Sequence, residues 1–391
     1  MSISADKKVL PEKSYLSRYM LYFLRNKFKQ PIDDYHYFPY KTIDKSENIF
    51  KFKKEKTSDL FKTISYNLKG EQETFNFNEF MISSKTTSFL VIKNDKILYE
   101  NYFNVYNRDS ISRFFSVTKS ITSALIGIAI GEGLIKSINE PIEQYIPEFN
   151  GQKIGSLTIK NLLEMDSGIN YKEGHFPWTD DVKQYFTPDV KSLVLNLNVE
   201  DKIGEFFHYN DYHLHILALI LERVTNNSIK SFLEEKIWKQ VDMEYSALIT
   251  VDSMENRFER MESGLCARAI DLAKFGRLFL NNGEWNGKRI ISEKWVCEST
   301  NMNNLKDSPN LFMYYTKHPW GLWFNSGKAY YKYLWWGYKI NDCEYDYFAM
   351  GTGGQILYIS PRKNSIAVRL GNEWGIKGWW PTLIKELMDK I

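Results

Sequence analysis

The sequence predicts an α+β domain, an antiparallel sheet flanked by helices with an all-helical subdomain beside it. Three observations point there. Strand-like stretches lie at both ends of the main region, "TTSFLVIKNDKILYENYF" (86–103) and "GQILYISPRKNSIAVRLGN" (354–372). Helical spacing of apolar residues fills the middle. Aromatic residues make up 16% of the chain, and Trp and Tyr crowd its last seventy or so residues, which suits a packed core or an aromatic-lined pocket.

Taken in order, residues 1–80 are basic, aromatic and irregular, with "FKFKKEK" at 50–56. They read as an extension packing on a main domain over 81–391. The 86–103 stretch is two strands around an Asn94-Asp95 turn. A helix starts at Ser116, with Val117, Ile121, Ala124, Leu125 and Ile128 at helical spacing, and ends near Gly131 and Gly133. "LTIKNLLEMDSGI" (157–169) is a short helix. "DYHLHILALILERVTNNSI" (211–229) is a longer one that stops at Asn226-Asn227. "AIDLAKFGRLFLNNGEWNG" (269–287) is another, ended by an Asn-Asn-Gly turn. The 354–372 stretch is a hairpin around Pro361 to Asn364, and "PTLIKELMDKI" is a terminal helix. Joining early and late strands makes one sheet. The residues at about 121–260 become the helical subdomain, and the cleft between the two parts is the natural site.

Composition narrows the function. With 43% apolar and 25% charged residues the chain has the make-up of a soluble globular protein. Net charge is only +3 and the charges are interspersed, so nucleic acid is not an indicated partner. Three widely spaced cysteines, Cys266, Cys297 and Cys343, support neither a disulfide framework nor a zinc site. The apolar patch at Tyr19–Leu24 is short and flanked by Arg18 and Arg25, so no signal peptide is read. No run reaches the ~18–20 apolar residues of a membrane span. A cytoplasmic monomer or homodimer acting on a small molecule is the expectation.

"FFSVTKSITSAL" (114–125) carries the chemistry. Lys119 sits in the first turn of the helix, three residues after Ser116. A cation is poorly placed at the positive end of a helix dipole. As a plain cap Ser116 would call for Glu or Gln at that offset. The other reading makes Ser116 a nucleophile with Lys119 one turn on, on the same face. Burial and the dipole would then lower the lysine pKa, so that a neutral amine accepts the serine proton. The same S-x-x-K spacing occurs at Ser4–Lys7 and Ser360–Lys363, but neither has an apolar helix behind it.

Several blocks in order resemble the serine β-lactamase and penicillin-binding-protein superfamily. Ser116-Val117-Thr118-Lys119 matches its S-x-x-K motif. "LTIKNLLEMDSGI" is similar to its "LLxMxSGL" helix, and "GEFFHYNDYHLHILALILERVTNNSI" to the segment that opens on Y-x-N. "CARAIDLAKFGRLFLNNGEWNGKRIISEKWV" resembles a further block, and "FAMGTGGQILYISP" the segment bearing K-T-G or H-x-G. The likeness spans about 86–380 and is nearest the class C-like branch, with its esterases and 6-aminohexanoate-oligomer hydrolases. It implies a β-lactamase/transpeptidase-like fold and acyl transfer through a serine ester, without metal or cofactor. Ser116 would be the nucleophile, and Lys119 and Tyr209 would share proton transfer. The backbone N–H groups of Ser116 and Thr352 would hold the oxyanion.

Two positions depart from the pattern. Asp211 stands where Y-x-N has Asn; it would favour a charged Lys119 and strengthen Tyr209 as base, and it also suits a helix N-cap. Ala349 replaces the basic residue of the third motif, which in lactamases and cell-wall peptidases helps hold a substrate carboxylate. An ester or short amide held by apolar contacts is therefore expected. The rivals are a true β-lactamase or D-alanyl-D-alanine carboxypeptidase, and a non-catalytic binding protein. Substrate-binding candidates are Asp211, Gly351, Gly353, Tyr171, Trp335 and Trp336, with Trp178 and Tyr338 also considered. His208, His213 and His215 cluster, but His213 and His215 are two apart on a helix and share no face, so no metal is expected.

Overall fold

Strands from the two ends of the chain meet in one sheet. The structure is a computed structural model describing residues 9–11, 13–27, 29–55, 60–68, 71–306, 311–315 and 321–391. The Ser4–Lys7 pair lies outside the described residues. Among those residues the main sheet has eight strands. Their order is Ala329–Lys332, Trp335–Lys339, Tyr345–Gly351, Gln355–Ser360, Ser365–Gly371, Thr86–Lys93, Lys96–Tyr102 and Lys53–Lys54. Neighbours are antiparallel except the last pair. The 86–102 hairpin turns on Asn94 and Asp95, both at positive φ, as a tight two-residue hairpin requires.

Helices cover both faces. Gly276 of the helix Ala269–Leu280 lies against Leu357 and Ile366. Strand alternation puts Arg369 on the opposite face, where the Trp380 ring of the terminal helix Trp380–Asp389 covers its guanidinium at 4.0 Å. Thirteen of the fifteen residues of the helix Val117–Gly131 are buried. Such an all-round apolar helix belongs inside the protein. It packs against the helix Tyr212–Thr225, which stops at Asn226 in the left-handed conformation.

The structure corrects two expectations. The segment at 121–260 is not all-helical: Ala247–Thr250 is a strand in a second, four-stranded sheet. Its partner there is Tyr40–Ile43, which comes from the stretch expected to be irregular. That stretch also holds a helix, Tyr15–Arg25, and a hairpin, Thr63–Leu68 with Glu71–Asn76. Short, strongly aromatic and basic runs hide their period in the sequence. Pairing with partners far along the chain is what makes them regular.

Candidate active site

Ser116 stands at the start of the Val117–Gly131 helix, and its side chain makes no capping hydrogen bond. The N–H groups of Val117, Thr118 and Lys119 go to the carbonyls of Phe114, Phe115 and Ser116. Phe115, just before the serine, has φ +48°, a conformation that costs a non-glycine residue about 1–3 kcal/mol. This bend turns the chain from the buried strand Ser112–Arg113 into the helix and brings Ser116 to a cleft. The cleft has a volume of about 500 Å³, a size suited to a small organic substrate.

Lys119 is 1% exposed. Its Nζ donates to Ser116 Oγ at 2.9 Å and to the Glu262 carbonyl at 2.9 Å, and pairs with Asp211 Oδ1 at 2.6 Å. The sequence offers two opposed tendencies for Lys119, a pKa lowered by burial and a charged form favoured by Asp211, and the geometry sides with the second. Burial does act to lower the pKa, but the Asp211 carboxylate outweighs burial and holds the ammonium above its ordinary value. Lys119 is a cation. The Tyr209 hydroxyl is hydrogen-bonded to both Ser116 and Lys119. Burial raises its pKa, the Lys119 ammonium opposes the rise, and Asp211 adds to it, so the resting phenol keeps its proton. Three protonated groups thus share one hydrogen-bonded cluster, balanced by one carboxylate.

Asp211 occupies the N-cap position of its helix without a side-chain cap bond. Its Oδ1 faces Lys119, and its Oδ2 accepts from Gln184 Nε2 at 2.9 Å. The Gln184 carbonyl oxygen meets His215 Nε2 at 2.9 Å, so the proton on that nitrogen orients the amide. His215 Nδ1 lies 3.6 Å from Glu262 Oε2. Burial keeps the His215 pKa low, so the imidazole is neutral.

Gly351 ends its strand directly against the nucleophile. A Cβ there would meet the Phe114 carbonyl at 2.4 Å and Ser116 N at 3.0 Å, so only glycine permits the approach. It sets Thr352, which lines the cleft, beside the Ser116 backbone. Gly353 follows in a turn at φ +75°.

The aromatic candidates divide. Trp336 does not line the cleft; it stacks on Tyr209, centroids 5.5 Å apart, and backs the phenol. Trp335, next in the strand, points the other way into the core against Phe275 and Phe279 and does not line the cleft. Tyr171 is buried behind the wall, its hydroxyl on Asp181, and Tyr338 is buried as well. Trp178 is exposed and stacked on Phe176. His213 and His215 make separate buried contacts, to Ser167 and Gln184. Among the described residues lining the cleft there is no lysine or arginine, while Glu173, Asp181 and Asp211 supply carboxylates. Ala349 is buried and brings no charge.

A family model described as Beta-lactamase matches residues 77–376. The chain belongs to the beta-lactamase family. It is 27% identical over 301 residues to the 6-aminohexanoate-dimer hydrolase of Paenarthrobacter ureafaciens, covering 73% of this chain and 72% of that protein. Its fold matches a Bacillus anthracis protein proposed to be a 6-aminohexanoate-dimer hydrolase, with TM-score 0.75 and 22% identity over 99% of this chain and 97% of the other. It also matches a D-stereospecific amidohydrolase from Streptomyces sp., with TM-score 0.59 and 15% identity over 79% and 96% of the two chains. As a member of the beta-lactamase family the chain is a hydrolase of the serine type.

Within this beta-lactamase-family site, sequence reasoning missed Gln184, His215 in its polar role, and Glu262. No spacing links them: they lie on separate segments and meet only around Asp211 and Lys119. Among the described residues no helix is long and apolar enough to cross a membrane.

Proposed function

We propose that this protein cleaves carboxylic esters or short amides through an acyl-enzyme on Ser116. The observation that carries the reading is the 2.9 Å contact of Lys119 Nζ with Ser116 Oγ, with the Tyr209 hydroxyl bonded to both inside a cleft. Because Lys119 is charged, it acts as an electrostatic partner and not as the base. Tyr209 relays protons: its oxygen takes the Ser116 proton as its own proton passes to the leaving oxygen or nitrogen. The ammonium stabilises the charge that develops on the phenol oxygen, and Asp211 holds the ammonium in place. The carbonyl oxygen gains charge as Ser116 Oγ attacks, and the N–H groups of Ser116 and Thr352 receive it. Water then attacks the ester carbonyl, and Tyr209 relays its proton to Ser116 Oγ as the acyl–oxygen bond breaks.

A cleft with three carboxylates, one of them neutralised by Lys119, and no arginine or lysine among the described residues of its wall opposes a substrate carboxylate. This favours neutral esters and amides over β-lactams and cell-wall peptides. A fluorophosphonate probe followed by intact mass tests the nucleophile: one adduct on wild type and none on Ser116→Ala is expected. No adduct on wild type, or an equal adduct on the variant, refutes it. A panel of p-nitrophenyl esters and linear amides, run beside nitrocefin, tests the substrate class; nitrocefin turnover matching the best ester would overturn it.

A further inference from the structure

We infer that the N-terminal segment, through Phe23 and Gln30, is a specificity-determining wall of the acyl-transfer cleft. The inference rests on the hydrolase reading above and adds a role for residues that lie before the family match, which starts at residue 77. Tyr22, Phe23 and Gln30 line the same cleft as Ser116, Tyr209 and Thr352.

The segment is held too firmly to be an adventitious cover. Asp34 is fully buried and pairs with Arg113 Nη1 at 2.9 Å, also fully buried. The hydroxyls of Tyr22 and Tyr185 donate to Asp34 Oδ2 at 2.8 and 2.5 Å. Arg113 N–H donates to the Ile32 carbonyl at 2.8 Å. Arg113 also donates to the carbonyl and hydroxyl oxygens of Ser263, another residue of the cleft wall. Arg113 is three residues before the nucleophile, so the clamp fixes the segment to the strand that delivers Ser116. From the other side, Arg18 Nη1 donates to the Asp252 carbonyl at 2.8 Å.

What this anchoring presents to the cleft is chemically simple. Phe23 packs beside Phe186, centroids 6.2 Å apart, and both line the cleft. Gln30 adds one uncharged amide. A wall of two phenyl rings and an amide selects an uncharged, largely apolar chain and limits its length by the bulk of Phe23. A single methylene more or less in such a pocket changes kcat/KM by roughly 10–200-fold.

The test is a series of p-nitrophenyl esters from acetate to decanoate, assayed with full-length wild type, Phe23→Ala, Gln30→Ala and Leu24→Ala. Leu24 is 63% exposed on the outward side of the same helix and serves as the control. Phe23→Ala should move the optimum to longer acyl chains, raising the kcat/KM ratio of the longest accepted ester to acetate at least about tenfold. Gln30→Ala should change the ratio less, and Leu24→Ala not at all. Leu24→Ala should label with a small fluorophosphonate at the wild-type rate, and one full adduct on Phe23→Ala and on Gln30→Ala at completion shows that these variants are folded and the serine intact. A chain-length profile for Phe23→Ala that overlays wild type, with normal labelling, overturns this inference alone. A wild type that neither labels nor turns over any ester overturns the hydrolase reading and this one with it.

Discussion

Replacing Asp211 by Asn removes one charge and keeps the shape. Asparagine keeps an acceptor for Gln184, so the change isolates the Lys119–Asp211 pair. At 2.6 Å, with the partners 1% and 17% exposed, the gross attraction is about 6 kcal/mol at an effective dielectric of ~20. Breaking a buried pair leaves a net cost of about 3–5 kcal/mol, since the ammonium stays desolvated. In wild type the folded pKa of Lys119 is raised, so its stabilising contribution is complete below the unfolded lysine value of about 10.4 and is lost only as pH rises through the folded value. In Asp211→Asn burial prevails and the folded pKa falls below the unfolded one. Above that lowered pKa the unfolded chain binds more protons than the folded one. The variant therefore regains stability with rising pH, by up to about 1.4 kcal/mol per pH unit. Urea denaturation of both proteins at pH 7 and 9.5 reads this directly. The expected deficit is about 3–5 kcal/mol at pH 7, shrinking by more than about 1 kcal/mol at pH 9.5. A deficit under about 1 kcal/mol at pH 7, or one that does not shrink, refutes a charged Lys119 held by Asp211.

Other outcomes follow from the same geometry. Tyr209→Phe removes the proton relay and should lower kcat by roughly 10²–10⁴ with KM nearly unchanged, in steady-state ester hydrolysis. Gly351→Ala pushes a methyl toward the Phe114 carbonyl and Ser116 N; loss of one oxyanion donor's alignment should cost about 10²–10³ in kcat, and the backbone overlap should also destabilise by about 1–3 kcal/mol in chemical denaturation. Asp34→Asn leaves Arg113 buried without its carboxylate and should destabilise by about 3–5 kcal/mol in chemical denaturation. Asp181 is raised to about 6, by burial and then by repulsion from Asp211. Lowering pH through 6 therefore removes a negative charge from the cleft, and kcat/KM for a carboxylate-bearing ester should rise relative to a neutral one. Asp181→Asn should flatten that pH dependence; an unchanged profile would remove Asp181 from the explanation.

The parts of the fold legible in the amino-acid order alone are local. The Asn94-Asp95 hairpin, the Val117–Gly131 helix and its stop, and the late hairpin follow from period and turn residues, which act over a few positions. The serine and lysine of "SVTK" were legible for the same reason, because one helical turn sets their distance. Tyr209 and Gly351 were legible only through likeness to other chains, since nothing local joins them to Ser116. The rest depends on contacts that form only in the folded chain. Burial and Asp211 pull the protonation of Lys119 in opposite directions, and the carboxylate 92 positions away prevails because the fold brings it to 2.6 Å. Trp335 and Trp336 parted because strand alternation, once the sheet is placed, sends one ring to the core and the other to Tyr209. Tyr22, Phe23 and Gln30 joined the cleft wall because Asp34 found Arg113, a pairing of buried charges that only the assembled fold creates.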